Sequence, residues 1–305
     1  MVLSDDQKNL IEKILHLKKN MNAIILVHNY QRPEIYEVAD FIGDSLGLCQ
    51  KASRTSAEII VFCGVNFMAE TAKILNPEKM VLVPHSGAGC AMADMINADD
   101  LIEFKKDYSG VPVVCYVNST AEVKAVSDIC CTSSNAVEVV KSLPDERVIF
   151  VPDQNLAAYV GSQIPEKEII AWKGHCPVHH FVNADYVESI KLQHPDAKII
   201  AHPETPPEVT AIADYVASTS GMLDCAKDDS AHEFFILTEC GMTERLKREL
   251  PNKEFFGLCN MCFDMKKNTL QLILKSLQNK KEEIVVDSDI AEKANKSLKR
   301  MMNIN

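Results

Sequence analysis

Short apolar runs alternate along the chain with segments of helical period, and this alternation predicts strands and helices in a fixed order. Ala23–Val27 reads as a buried strand, Glu34–Ile42 as a helix, and EIIVFC from Glu58 as a second strand. Another helix follows, and KMVLVP from Lys79 reads as a third strand. The same order returns twice. Strands are predicted at Pro112–Val117, RVIFVP from Arg147 and KEIIAW from Lys167, then at Lys198–Ala201, EFFILT from Glu233 and KEFFGLC from Lys253. Continuous apolar strands separated by helices imply parallel sheets covered on both faces. An N-terminal helix to about Lys19 and two helices after Asn268 are expected to dock outside this repeated core.

The repeat has a measurable period. AIILVHNYQRPEIYEVADFIGDS from Ala23, PVVCYVNSTAEVKAVSDICCTSS from Pro112 and KIIAHPETPPEVTAIADYVASTS from Lys198 align on Asp40, Asp128 and Asp214, which lie 88 and 86 residues apart. Pro77, Pro165 and Pro251, each ending the second helix of its copy, have the same separations of 88 and 86. The chain therefore reads as a triplication: a first α/β/α repeat with the N-terminal helix over 1–109, a second over 110–195, and a third with the C-terminal helices over 196–305. The predicted fold is α/β, with three homologous three-layer α/β/α domains built on small parallel sheets around a pseudo-threefold axis. Right-handed crossovers give each copy its three layers.

Ligands of open parallel sheets gather beyond the carboxyl ends of the strands. Twelve residues before the anchoring aspartates stand His28, Tyr116 and His202; ten before stand Tyr30, Asn118 and Glu204; five after stand Ser45, Ser133 and Thr219. A single buried histidine such as His28 usually means a satisfied core residue. Nine polar groups in register at strand ends instead read as the lining of one pocket. Glu204 is the only carboxylate among them and is assigned as principal base, with Tyr30, His28 and His202 as further proton-transfer groups.

Eleven cysteines are an odd number in a chain of ordinary size with no secretory signal, which argues against a disulfide framework. Cys49, Cys115, Cys130, Cys131 and Cys225 sit among apolar residues and read as core packing. Cys90, Cys176 and Cys262 are different: they are 86 residues apart, each just past the third strand of its copy. Three thiolates on one axis suit a [4Fe–4S] cluster with one iron open, because structural zinc takes four ligands and a triplicate chain offers no fourth equivalent thiol. Three packed cysteines that merely repeat are the plain alternative. Cys259 and Cys262 form a CxxC, but Cys259 falls out of register and reads as a bystander, a disulfide to Cys262 being the minority reading.

Composition narrows the function. The 305 residues are 47% hydrophobic and carry a net charge of −11, which disfavours a nucleic-acid surface. No apolar run approaches the ~20 residues of a membrane helix, so no membrane partner and a cytoplasmic location are expected. Gly87-Ala-Gly89 is a lone GxG without the context of a dinucleotide fingerprint.

The motifs HNYQ…ADFIGDS, YVNSTAEVK, GHCPVHHF, HPETP and CxxMKKNTL together resemble the quinolinate synthase family over essentially the whole chain. The resemblance implies an iron–sulfur enzyme of NAD biosynthesis that condenses iminoaspartate with dihydroxyacetone phosphate to quinolinate, phosphate and two waters. It implies Cys90, Cys176 and Cys262 as ligands of a [4Fe–4S] cluster whose open iron acts as Lewis acid. His28, Tyr30, Tyr116, Asn118, His202 and Glu204 become the active-site ring, Ser45, Ser133 and Thr219 its hydroxyls, and His179 a further contact. The iminoaspartate-producing enzyme is the implied protein partner. Cys259 departs from the pattern, and no role is carried onto it. Two rival readings use subsets of the same residues: another [4Fe–4S]-dependent hydro-lyase, and a non-catalytic metal-binding protein.

Overall fold

The computed structural model describes residues 3–304. After helix α1 (Asp5–Asn20), the first repeat runs β1 (Ala23–His28), β2 (Phe41–Gly43), α2 (Ser45–Arg54), β3 (Ile59–Cys63), α3 (Asn66–Leu75), β4 (Met80–Leu82) and α4 (Ala98–Lys106). The second runs β5 (Val113–Tyr116), α5 (Ala121–Ala125), β6 (Ile129–Cys131), α6 (Ala136–Ser142), β7 (Arg147–Val151), α7 (Gln154–Gln163), β8 (Glu168–Ala171), α8 (Pro177–His180) and α9 (Ala184–Gln193). The third runs β9 (Lys198–Ala201), α10 (Pro207–Ile212), β10 (Tyr215–Val216), α11 (Thr219–Asp228), β11 (Glu233–Leu237), α12 (Cys240–Glu249), β12 (Glu254–Gly257) and α13 (Leu270–Asn279), with α14 (Ser288–Met302) last. Three four-stranded parallel sheets result, in the orders β2-β1-β3-β4, β6-β5-β7-β8 and β10-β9-β11-β12. The nine strands expected from the apolar runs are all present, and the fold is the three-layer α/β/α triplication that the pattern predicts.

Two expectations are corrected. Glu34–Ile42 is not a helix: a short 3-10 turn over Pro33–Val38 gives way to the edge strand β2. The cause is Asp40. Its N–H donates to Ile25 O at 2.9 Å and its Oδ2 accepts the Ile25 N–H at 2.8 Å, pinning the chain beside β1. Asp128 clasps Val113 and Asp214 clasps Ile199 in the same two-sided way, with side-chain bonds of 2.8 and 2.9 Å. The aspartates that set the repeat period are therefore strand clasps, and each introduces a fourth, edge strand of two or three residues.

The N-terminal helix is the second correction, since it belongs to the repeat. Lys18 of α1, Lys105 of α4 and Lys191 of α9 each reach a carbonyl just before the clasp, Val38, Val126 and Ile212, at 2.9, 2.9 and 2.5 Å. Helix α13 starts eight residues after Cys262, as α4 does after Cys90 and α9 after Cys176. Asn97, Asn183 and Thr269 cap these three helices from equivalent positions. The chain thus has one more copy of this helix than it has sheets, and α1 and α13 share the first sheet, burying Ile14, Leu270, Ile273 and Leu277 over Ile25 and Val27. Helix α14 crosses to the second repeat, where Ser297 Oγ donates to Lys124 O at 2.9 Å. No helix among the described residues is long and apolar enough to cross a membrane.

Candidate functional site

One hydrogen bond recurs in all three repeats and aims the cysteines. The first residues of α3, α7 and α12 (Asn66, Gln154 and Cys240) donate their N–H groups to Ala88, Gly174 and Asn260, each at 2.8 Å. Each acceptor lies two residues before a cysteine, so Cys90, Cys176 and Cys262 hang from the same strut. All three reach one cavity between the repeats. The same cavity is lined by His28, Tyr30, Ser45, Tyr116, Asn118, Ser133, His179, His202, Glu204 and Thr219. Every site residue read from the sequence is thus brought to one place.

The cysteines stand at a boundary. On their outer side a second cavity of about 450 Å³ opens between Phe181, Met261 and Phe263, and Cys259 lines only this outer space. Cys90, Cys176 and Cys262 are half-buried, whereas Cys49, Cys115, Cys130 and Cys131 are buried in the core and Cys225 packs against it. Burial pushes the Cys90 thiol up to about 12, with neighbouring Cys262 adding to the rise. Burial also raises Cys176 well above the usual thiol range, followed by the charge of Glu204 and then Cys90. Three half-buried thiols that line one cavity are the kind of soft donor set that holds iron–sulfur clusters. The donor set fits an iron–sulfur cluster.

The polar ring converges on Glu204. Tyr116 donates its hydroxyl to Glu204 Oε1 at 2.6 Å, and His179 Nδ1 lies 2.7 Å from Oε2. Asn118 Nδ2 reaches Oε1 at 3.5 Å, while Asn118 Oδ1 takes no hydrogen bond from the protein and faces the cavity lining. His179 and His202 stack at 4.7 Å. His202 Nδ1 accepts the Glu204 N–H at 3.3 Å, and His28 Nδ1 accepts the Tyr30 N–H at 3.2 Å, the same local bond in repeats three and one. Burial lowers His28 to about 4 and His202 to about 3, so both rings are neutral at physiological pH. Burial alone would raise Glu204; the adjacent His179, followed by His202, and the hydrogen bond from Tyr116 outweigh it and lower the carboxyl below the usual carboxylate range. Tyr30 and Tyr116 are held well above the ordinary phenol range, first by burial and then by the Glu204 charge, and remain donors.

Sequence reasoning missed several supporting residues. Thr238 Oγ1 bridges Tyr30 Oη at 2.6 Å and His179 Nε2 at 2.7 Å. Asp153 and Glu239, both fully buried, cap α7 and α12 through Leu156 N (2.6 Å) and Gly241 N (2.7 Å). Their other oxygens accept the amides of Cys176 (3.1 Å) and Cys262 (3.2 Å). Lys266 Nζ pairs with Glu239 at 3.0 Å and also donates to Tyr30 O. The signal was present, since residues 65, 153 and 239 are again 88 and 86 apart, but Val65 breaks the chemistry in the first copy. Asp44 caps α2 through Gly47 N at 2.8 Å and accepts from Ser134 Oγ at 2.6 Å, joining the lining beside Ser45.

Comparison with known proteins agrees with this architecture. The family model described as "Quinolinate synthetase A protein" matches residues 12–303. The chain is 54% identical over 301 residues to a quinolinate synthase of Alkaliphilus metalliredigens, covering 98% of this chain and 99% of that one. Quinolinate synthases of Thermodesulfovibrio yellowstonii and Methanosarcina barkeri are 50% and 49% identical over 296 and 300 residues, covering 96% and 98% of this chain and 98% of each relative. With a match that spans all three repeats and the whole of the cavity between them, the chain belongs to the quinolinate synthase family.

Proposed function

We propose that this protein is a quinolinate synthase that condenses iminoaspartate with dihydroxyacetone phosphate to quinolinate, phosphate and two waters. The observation that carries the reading is the convergence of three equivalent thiols and the ten polar side chains read from the sequence on one cavity. Cys90, Cys176 and Cys262 would hold a [4Fe–4S] cluster, which when bound supplies a Lewis-acidic iron to a substrate hydroxyl, carboxylate or nitrogen. Ser45 and Thr219 are the first residues of the ten-residue helices α2 and α11, so their hydroxyls and the adjoining amides suit a phosphate or carboxylate. Ser133 lines the cavity before α6 and completes the hydroxyl set.

The proton chemistry is assigned to Glu204 and His179 acting together. An ionised Glu204 2.7 Å from His179 Nδ1 orients the imidazole, so that Nε2 exchanges protons toward Thr238 and Tyr30. Tyr116, kept protonated, orients Glu204, and the neutral rings of His28 and His202 bind anionic substrate without adding charge. Asn118 Oδ1 is an acceptor for a substrate N–H or O–H. The eleven free cysteines suit a reducing, cytoplasmic compartment. The protein partner in this reading is the enzyme that produces iminoaspartate. The test is anaerobic formation of quinolinate from the two substrates by iron- and sulfide-loaded protein. Glu204→Gln should lower turnover by ~10²–10⁴ while the cluster stays assembled. Near-normal turnover with a full cluster would remove Glu204 from the proton chemistry.

A further inference from the structure

The cavity contains a second, differently composed set of metal donors. The ligand atoms of Cys176, His179 and Glu204 lie within 4.8 Å of one another. His179 and Glu204 are buried, and Cys176 is half-buried at the cavity edge. Sulfur, nitrogen and carboxylate donors bind zinc at about 2.0–2.3 Å, so tetrahedral partners sit roughly 3.2–3.8 Å apart. A shift of about 1 Å brings the three into that geometry.

Each donor also has its other polar groups held. Thr238 fixes His179 Nε2 at 2.7 Å, which leaves Nδ1 facing the site. Tyr116 occupies Glu204 Oε1 at 2.6 Å, which leaves Oε2. Asp153 holds the Cys176 amide at 3.1 Å and so fixes the loop that carries the sulfur. Ligands whose orientation is set by a surrounding shell of hydrogen bonds are the mark of a built metal site. Charge favours it as well. One thiolate, one carboxylate and a neutral imidazole make a divalent cation neutral as a buried complex, whereas three thiolates leave a net negative charge beside Glu204.

We propose that the cluster-free chain binds one zinc-class divalent cation through Cys176 Sγ, His179 Nδ1 and Glu204 Oε2, at a site that blocks the substrate cavity. On binding, the Cys176 thiol proton passes to solvent, His179 takes the Nε2–H tautomer with that proton donated to Thr238 Oγ1, and the Nδ1–Oε2 contact opens to admit the metal at the unprotonated Nδ1. Because Cys176 is shared, this cation and a cluster on Cys90, Cys176 and Cys262 exclude each other. That exclusion rests on the cluster reading above; the cation site does not.

The experiment is Zn²⁺ titration of the full chain after iron removal, against a chromophoric chelator, with Co²⁺ as a spectroscopic stand-in. One equivalent should bind, with a Co²⁺ spectrum of a single thiolate ligand. Cys90→Ala and Cys262→Ala should keep the site within about 3-fold. Cys176→Ala, His179→Ala and Glu204→Gln should each weaken it by at least ~10²-fold, and Thr238→Val by ~10–100-fold. Retention in His179→Ala with loss in Cys90→Ala would place the cation on the three cysteines and overturn the proposal, as would no binding to the wild-type chain. Stoichiometric Zn²⁺ should also block cluster reconstitution in the wild type but not in His179→Ala. If zinc binds as mapped while no cluster ever forms, the cluster reading fails and the cation site stands.

Discussion

Asp153 in the second repeat and Glu239 in the third occupy equivalent positions, each fully buried, each capping a helix with one oxygen and receiving a cysteine amide with the other. They differ in how the buried charge is handled. Glu239 is paired with Lys266, whose side chain is only 11% exposed. Asp153 has no such cation among the described residues, and burial followed by the charge of Glu204 pushes its carboxyl well above the ordinary range. One repeat neutralises its buried carboxylate with a lysine, the other by favouring the protonated acid. The first repeat has Val65 at this position and no carboxylate link to its cysteine, keeping only the Asn66–Ala88 bond. A triplicated backbone can therefore place three cysteines alike while the electrostatics around each one diverge.

The sharpest way to break that comparison is to remove the lysine. Lys266→Met leaves Glu239 as a buried, uncompensated charge and should destabilise the protein by about 3–5 kcal/mol in urea unfolding. Asp153→Asn removes a charge that burial already disfavours and should cost about 1 kcal/mol or less. Equal costs would mean that the two carboxylates are not handled differently.

A second contrast sets repeats one and three against repeat two at the ring position, where His28 and His202 face Tyr116. Both histidines have folded pKa values far below that of an unfolded histidine, so the unfolded chain takes up protons first as pH falls. The stability they confer is complete above about 6.5 and is lost as pH drops toward about 4 and 3. The slope should be about 1.4 kcal/mol per pH unit for each histidine within that window. His28→Asn or His202→Asn should flatten thermal stability between pH 6.5 and 5, whereas Tyr116→Phe should leave the slope unchanged.

The strand clasps should behave alike in all three repeats. Asp40→Ala, Asp128→Ala and Asp214→Ala should each cost about 1 kcal/mol, since the carboxylates are partly exposed. The smallest effect is expected outside the repeat register: Cys259→Ser, at an exposed position, should change stability by less than about 0.5 kcal/mol.

Much of this molecule was legible in its sequence because the buried parallel strands are continuous apolar runs, and because triplication supplies an internal check on every position. The ring of nine residues and the three cysteines were found by register alone. Three things were not. The edge strand β2 is three residues long and follows a segment with helical spacing, so its pairing depends on the Asp40 clasp, a contact with β1 that no local pattern displays. The kinship of α1 with α4 and α9 rests on Lys18, Lys105 and Lys191, surface-type residues that periodicity ignores. Thr238 acts through other side chains, Asp153 and Glu239 act through backbone amides, and all three lack threefold chemical likeness, so register gave them no emphasis.

In the proposed function, one cysteine from each repeat, and no other, holds a single cluster at the cavity. The most direct measurement is iron and acid-labile sulfide content after anaerobic reconstitution of the wild type and four single variants. The account predicts about four iron and four sulfide per wild-type chain. It predicts the same for Cys259→Ala, and loss of both in Cys90→Ala, Cys176→Ala and Cys262→Ala. A full cluster in Cys262→Ala together with loss in Cys259→Ala would contradict it and would shift the metal register of the third repeat by three residues.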